Sequence, residues 1–179
     1  MKLINNSKDK SAFSLLETVV VLFIVSIGLV SILSVTVDSV RAQNLNKNSL
    51  VAYHLAEEGL ELVKNVRDTN FIQNTTSTPI AWNRYIEGES GSNKYRVDYA
   101  TFEPVVVSNI AEAKLQLSAG ANPGFYLHNT SSPDSMFSRM ITIDPINASS
   151  SAITSLVEWM DQGQTYQVEL NSILYGWKY

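Results

Sequence analysis

The chain has 179 residues, of which 17% are charged, and its formal net charge is −4. This length allows one globular domain together with an anchor, and the slightly acidic balance argues against a basic nucleic-acid-binding surface. Because the chain contains no cysteine, it forms no disulfide framework and no thiolate metal site.

A short polar segment, residues 1–12, precedes the apolar region and carries Lys2, Lys8 and Lys10. A secretory signal peptide has its apolar core before the cleavage site, whereas here the apolar residues follow Ala12. Cleavage after Ala12 would therefore remove a leader and leave an anchor on the mature protein. Lysines favour the cytoplasmic side and so favour a cytoplasmic N-terminus, although basic residues that follow the apolar region weaken this bias. With a single membrane span, that orientation places the C-terminal domain on the exported side.

The apolar region between Glu17 and Asp38 contains no charged residue, and 14 of its 20 residues are Val, Leu, Ile or Phe. At about 1.5 Å per helical residue it measures roughly 30 Å, which matches the hydrocarbon thickness of a bilayer. Such side chains contribute about −0.3 to −0.6 kcal/mol each at mid-membrane. We therefore expect residues 13–37 to form a transmembrane helix in the lipid bilayer.

Glu17 lies at the N-terminal edge of the apolar region, where a membrane anchor ordinarily carries Lys or Arg. A carboxylate in or near hydrocarbon is costly and usually has a partner of opposite charge. Cleavage between Ala12 and Phe13 would create an ammonium on Phe13, one helical turn before Glu17. We expect the Phe13 ammonium of a neighbouring copy to pair with Glu17 during assembly. The alternative is an isolated acid whose side chain reaches the membrane interface.

The segment 12–17, Ala-Phe-Ser-Leu-Leu-Glu, followed by an apolar helix, resembles the class III signal of type IV prepilins and pseudopilins. That family usually has Gly where this chain has Ala12. The resemblance implies that a membrane prepilin peptidase cleaves between Ala12 and Phe13 and methylates the Phe13 amine. It also implies assembly into a filament, through contacts with other pilin subunits and an inner-membrane assembly platform, in which Glu17 sets the axial register.

From residue 38 to 71 the helical pattern continues but becomes amphipathic. Apolar or small residues recur at spacings of three and four: Leu45, Ala52, Leu55, Ala56, Gly59, Leu62, Val63 and Val66. The opposite, polar face is expected to carry Glu57, Glu58, Glu61, Lys64 and Asn65. Because no proline interrupts Ser14 to Arg67, we expect one long helix whose second half packs on a globular domain. The stretch 55–71 is similar to a segment of PilV-type minor pilin-like proteins.

Residues 72–179 predict a β-rich domain. A polar loop at 73–79 and a turn-rich segment at 82–91 come first. Alternating or apolar segments then predict strands over 94–99, 114–117, 125–127, 138–143, 156–160 and 165–174, with a hairpin turn at 161–164. The segment 105–113 fits a strand, a loop or a short helix. We therefore expect an α+β, pilin-like fold, in which the helix crosses one face of a small, mostly antiparallel sheet.

The sequence predicts no catalytic site, no cofactor and no metal site. His54 and His128 are the two histidines, and neither has the spacing of metal ligands. There is no Gly-x-Ser-x-Gly turn and no glycine-rich phosphate loop. We therefore expect a structural subunit and not an enzyme: a minor pilin or pseudopilin of a type IV pilus or type II secretion-like filament, at the cell surface or in the periplasm. The alternative is a membrane-anchored binding module or adhesin that does not polymerise.

Overall fold

The computed structural model describes residues 14–75, 77–86, 93–99, 104–119, 123–128 and 131–177. Along these residues, one long helix is followed by seven strands and a short 3₁₀ helix. The helix is α1 (Leu15–Gln73), and the 3₁₀ helix is η1 (Ile110–Ala113). The strands are β1 (Lys94–Arg96), β2 (Val105–Val106), β3 (Lys114–Leu117), β4 (Tyr126–Leu127), β5 (Asp134–Asn147), β6 (Ser150–Asp161) and β7 (Gln164–Tyr175).

The chain forms two compact units, Met1–Asn44 and Leu45–Tyr179. The described part of the first unit consists of Ser14 and the N-terminal part of α1, and all of its residues are exposed. The second unit contains the rest of α1 and all the described strands. The predicted α+β class, with a long N-terminal helix and an antiparallel sheet, is confirmed.

The sheet is built around β5, and its described strands pair antiparallel. One edge of β5 pairs with β6 along most of its length. The other edge is shared, because β3 lies beside the first half of β5 and β1 beside the second half. β4 and β2 extend these two branches, while β7 pairs with β6 on the far side. The result is a seven-stranded sheet within the described residues.

The second half of α1 packs on one face of this sheet. Its buried residues lie three or four positions apart, as one helix face requires: Ala52, Leu55, Ala56, Gly59, Leu60, Leu62, Val63, Val66 and Asn70. Strands β5 and β6 contribute alternate residues to the same core, among them Ile141, Ile153 and Val157. The predicted apolar face of the helix is therefore confirmed, except that Leu45 is only half-buried.

Gly59 allows α1 to approach the sheet closely. A Cβ added at this position would lie 2.5 Å from Ser155 Oγ and 2.8 Å from Ile141 Cδ1, which are shorter separations than real Cβ contacts show. A larger residue at position 59 would therefore force the helix or the Ser155 and Ile141 side chains to shift.

Arg139, in the middle of β5, lies beside Gly59 and is fully buried. Its guanidinium donates to the carbonyl oxygens of Leu55 at 3.2 Å and Val97 at 2.9 Å, and it pairs with a Glu58 carboxylate oxygen at 3.2 Å. Glu58, predicted on the polar helix face, is half-buried because it reaches this buried cation. These contacts join α1, β5 and the residue after β1.

The segment 105–113, for which the sequence left three interpretations open, forms β2 and η1. It packs Val107 and Ala113 against Met140, on the opposite side of β5 from the α1 core. Because both faces of β5 are covered here, residues 137–141 are all buried and show no in-and-out alternation.

The β6–β7 hairpin is confirmed, and its turn residues Gln162 and Gly163 have φ values of 50° and 79°. Positive φ at both positions is typical of a type I′ turn. β6 begins at Ser150 and not at the predicted residue 156, because the Ser-, Ala- and Thr-rich start of the strand has little hydrophobic alternation. β5 is likewise longer than the predicted 138–143, whereas β1 is shorter than the predicted 94–99.

Candidate functional site

The apolar region of α1 is a continuous hydrophobic surface. Among the described residues, α1 is the helix that is long and apolar enough to span a membrane, and none of its most apolar part is buried. Leu15 is 82% exposed, Phe23 66% and Val35 70%. Soluble monomers rarely expose an apolar patch larger than a few hundred Å². This surface is therefore suited to single-pass anchoring in lipid or to the apolar surface of another protein.

Four hydroxyl groups of this region form hydrogen bonds within the helix itself. Thr18, Ser26, Ser31 and Thr36 each donate to the carbonyl oxygen four residues earlier, over distances of 2.7–3.3 Å. Hydrocarbon offers no hydrogen-bond partners, so a polar group there must be paired internally. These four residues therefore add little to the free-energy cost of transferring the helix from water into an apolar medium.

Glu17 is the one acidic residue of the first turn of α1, and it is exposed. It forms no salt bridge with any residue that the structure describes; the nearest ion pair along α1 is Asp38–Arg41, at 3.8 Å. The partial positive charge of a helix N-terminus stabilises a carboxylate there by typically 0.3–1 kcal/mol. Ala12 and Phe13, the predicted processing residues, lie outside the described residues.

Gly28 lies midway along the exposed apolar surface. A Cβ added there meets no atom within 4 Å, in contrast to Gly59. No contact within the described chain therefore requires glycine at this position. In a helix interior glycine costs about 1 kcal/mol relative to alanine, so Gly28 is a locally weak point of α1.

The histidines occupy different environments. His54 is exposed on α1 and contacts a Glu57 carboxylate oxygen at 3.1 Å, whereas the His128 side chain is only 1% exposed. Within the described ranges, no three His, Cys, Asp or Glu side chains are grouped as they are around a metal ion.

His128 and Asp98 form a hydrogen-bonded pair between the ends of β4 and β1. The His128 ring Nδ1 lies 2.8 Å from Asp98 Oδ1, and its backbone N–H donates to both Asp98 carboxylate oxygens at 3.1 and 3.2 Å. The other ring nitrogen, Nε2, lies 3.3 Å from the Ala113 carbonyl oxygen. Because both acceptors lack protons, an imidazolium satisfies both contacts at once and a neutral ring only one.

The pKa of Asp98 reflects two opposing effects. Burial disfavours the charged carboxylate and raises its pKa, but the hydrogen bonds and positive charge of His128 outweigh burial. The charge of Arg139 acts in the same direction, so the pKa of Asp98 lies below its usual value. The pair therefore holds Asp98 ionised at neutral pH.

A groove of about 500 Å³ lies between α1 and β7 in the second unit. Its walls include Tyr53 and Leu60 from α1 and Leu170 from β7, together with the carboxylates of Glu57 and Glu61. The side chains of Glu57 and Glu61 are 49% and 68% exposed, respectively. This groove, called here the edge groove, is open to solvent and acidic.

Sequence reasoning identified Glu17 but missed the buried charges of the second unit. Arg139 gave one usable signal, because in the predicted strand 138–143 it shares one face with the apolar residues Ile141 and Ile143. Asp98 and His128 gave none, because they are far apart in sequence and the fold alone brings them together. Comparisons with protein-family models, with curated proteins and with solved structures find no match for this chain.

Proposed function

We propose that this chain is a structural subunit, a minor pilin or pseudopilin, of a type IV pilus or type II secretion-like filament. The observation that supports this function is the exposed apolar part of α1 with a single acid, Glu17, in its first turn. Such a surface needs apolar surroundings, first lipid and then the bundled helices of other subunits. The acid at its edge needs a cation.

Processing supplies that cation. Prepilin peptidase hydrolyses the Ala12–Phe13 peptide bond with one water molecule, leaving a carboxylate on Ala12 and a free amine on Phe13. The amine then attacks the methyl group of an electrophilic methyl donor, whose own bond to that group breaks; the amine loses one proton in the exchange, and the methylated amine is again protonated at neutral pH. Phe13 lies four residues before Glu17 in the sequence, the spacing of one helical turn, so the two charges can meet within one chain or between neighbouring copies.

Assembly then exchanges lipid contacts for helix–helix contacts. The mature subunit sits in the membrane with its N-terminus in the cytoplasm and its second unit exported. In the filament, the Phe13 ammonium of one subunit pairs with Glu17 of the next. A misregistered subunit leaves both charges unpaired in apolar surroundings, which costs several kcal/mol and so selects one axial register.

The test replaces the acid and keeps the apolar surface. Glu17→Leu is compared with Asp38→Leu, which removes the acid at the other end of the apolar region, in cells that carry a type IV pilus system. Both variants should reach the membrane fraction in wild-type amounts, because neither shortens the apolar region. Glu17→Leu alone should be depleted at least about tenfold from sheared filaments, the ratio that 1.4 kcal/mol of lost pairing produces.

Incorporation of Glu17→Leu at the wild-type level would remove the register argument. A wild-type chain that stays in the membrane fraction after shearing, with no copy in filaments, would instead favour a membrane-anchored binding module that does not polymerise.

A further inference from the structure

β7 is an unprotected edge strand. Its 12 residues pair with β6 without a register shift, and among the described residues β7 pairs with no other strand. Natural proteins usually protect such an edge with proline, lysine or a bulge. β7 contains no proline and no lysine, and its single charged residue is Glu169. A regular edge of this length is therefore able to pair with one more strand.

The hairpin register shows which backbone groups are available. Asp161 and Gln164 flank a two-residue turn and form its closing, doubly hydrogen-bonded pair. Every second residue after Gln164 repeats this arrangement and directs its N–H and C=O toward β6. The intervening residues, including Gln167, Glu169 and Asn171, direct theirs away from β6 and toward a possible partner.

The edge groove lies beside this strand. Leu170 belongs both to β7 and to the groove wall, and it is only half-buried because α1 covers it incompletely. A strand added at β7 would direct alternate side chains to the α1 side of the sheet, toward Tyr53 and Leu60. The groove thus provides side-chain contacts beyond the backbone hydrogen bonds of the edge.

The charges of the groove select the side chain that fits. Its walls carry the carboxylates of Glu57 and Glu61 and one ammonium, that of Lys64, which is 2.7 Å from Glu61. Among the described residues, the polar contact of the Glu57 carboxylate is with the His54 ring nitrogen Nδ1, at 3.1 Å. The groove therefore has an excess of negative charge, and a basic side chain complements it.

We infer that the β7 edge binds an extended peptide segment of another protein, which adds a strand to the sheet and directs a lysine or arginine into the edge groove toward Glu57. Backbone hydrogen bonds supply the affinity, and the acidic groove supplies the preference for a basic segment. This interaction involves only the second unit, so it does not depend on the function proposed for the apolar part of α1.

The binding test uses the full chain in neutral detergent micelles. The probe is a fluorescein-labelled peptide of about ten residues, a usual strand length, in which Thr and Lys alternate. The control peptide has Glu in place of Lys. Fluorescence anisotropy should show binding of the Thr–Lys peptide and at least about tenfold weaker binding of the Thr–Glu peptide, a difference of about 1.4 kcal/mol.

A pair of variants tests the backbone contribution. Glu169→Pro removes an N–H that points away from β6, a position where an edge strand tolerates proline, whereas Glu169→Thr removes the same charge and keeps the N–H. The proline variant alone should bind the Thr–Lys peptide at least about tenfold more weakly. In the wild-type chain, the peptide should slow hydrogen exchange at the amides of Gln167 and Asn171, a result that does not depend on either variant folding.

Three results would overturn the inference: no binding of the Thr–Lys peptide, equal binding by the two Glu169 variants with exchange unchanged at Gln167 and Asn171, or outward-directed amides of β7, those of Gln167, Glu169 and Asn171, already protected without peptide. The last result would indicate that a second copy of the chain occupies the edge.

Discussion

At the residue scale, polar contacts of charged side chains inside the second unit fix how its strands and helix pack together. Asp98 and His128 join the ends of two short strands, and Arg139 joins the helix to the middle of the sheet. An ionised group left unpaired in such surroundings is strongly destabilising, so these contacts disfavour alternative packings more than they add net stability.

Asp98→Asn should destabilise the chain at neutral pH by about 1–3 kcal/mol, the usual range for a hydrogen bond to a charged group. In the folded chain the pKa of Asp98 is lowered, so the unfolded chain binds the proton first as the pH falls. The stabilisation is therefore complete above the ordinary pKa of 3.8 and declines as the pH falls through the lower folded pKa.

Denaturant unfolding of the full chain in detergent, followed by tryptophan fluorescence, measures this effect. The difference between wild type and Asp98→Asn should be complete at about pH 5 and should shrink below pH 3.8. A difference that stays constant down to about pH 2, or a variant as stable as wild type at neutral pH, would contradict the role given to the pair.

These residue-scale contacts are the part of the molecule that the sequence predicts least. A pattern in sequence reports on neighbours along an element, whereas Asp98 follows β1 and His128 follows β4, with β2, η1 and β3 between these two strands. Glu58 is a second example. Its position on the helix predicts an exposed side chain, but its buried partner, Arg139, lies on a strand distant in sequence.

At the scale of elements, the contact between α1 and the sheet depends on one small residue. Gly59 fits against Ser155 and Ile141 with no room for a methyl group, whereas Gly28 of the same helix meets no other atom within 4 Å. The two glycines therefore form a matched pair in which the helix propensity is the same and only the surroundings differ.

Gly59→Ala should lower the free energy of unfolding of the second unit by about 1–3 kcal/mol, because the added methyl group forces the helix or its neighbours to shift. Gly28→Ala, the control, should leave this value unchanged. Denaturant unfolding of both variants in detergent provides the comparison. Equal stability of the two variants would show that α1 does not approach the sheet as closely at Gly59 as described.

The sequence predicts well the elements whose apolar residues recur with a clear period. It predicts poorly the bounds of strands that are covered on both faces or that have few apolar residues. The helix and the β6–β7 hairpin follow from periods of 3.6 and 2 and from the turn residues between the strands. β5 has five consecutive buried residues because η1 covers its second face, and the beginning of β6 is rich in Ser, Ala and Thr. Neither cause is visible in a local window of sequence.

At the scale of the whole molecule, the two units differ in the surroundings that they require. The second unit has its own apolar core, whereas the first unit exposes all of its described apolar side chains. A long uncharged apolar region is typical of a helix that lies in lipid and not of one that packs in a small soluble domain. Under the proposed function, what the first unit assembles with depends on the chemistry at Ala12 and Phe13.

The most direct test of that proposal is mass analysis of the N-terminus after co-expression of the full chain with a prepilin peptidase. We predict a mature product that begins with N-methylated Phe13, and equal or more complete conversion in an Ala12→Gly variant, which has the residue usual in the family. A product that retains residues 1–12 in both chains, in the presence of active peptidase, would contradict the account.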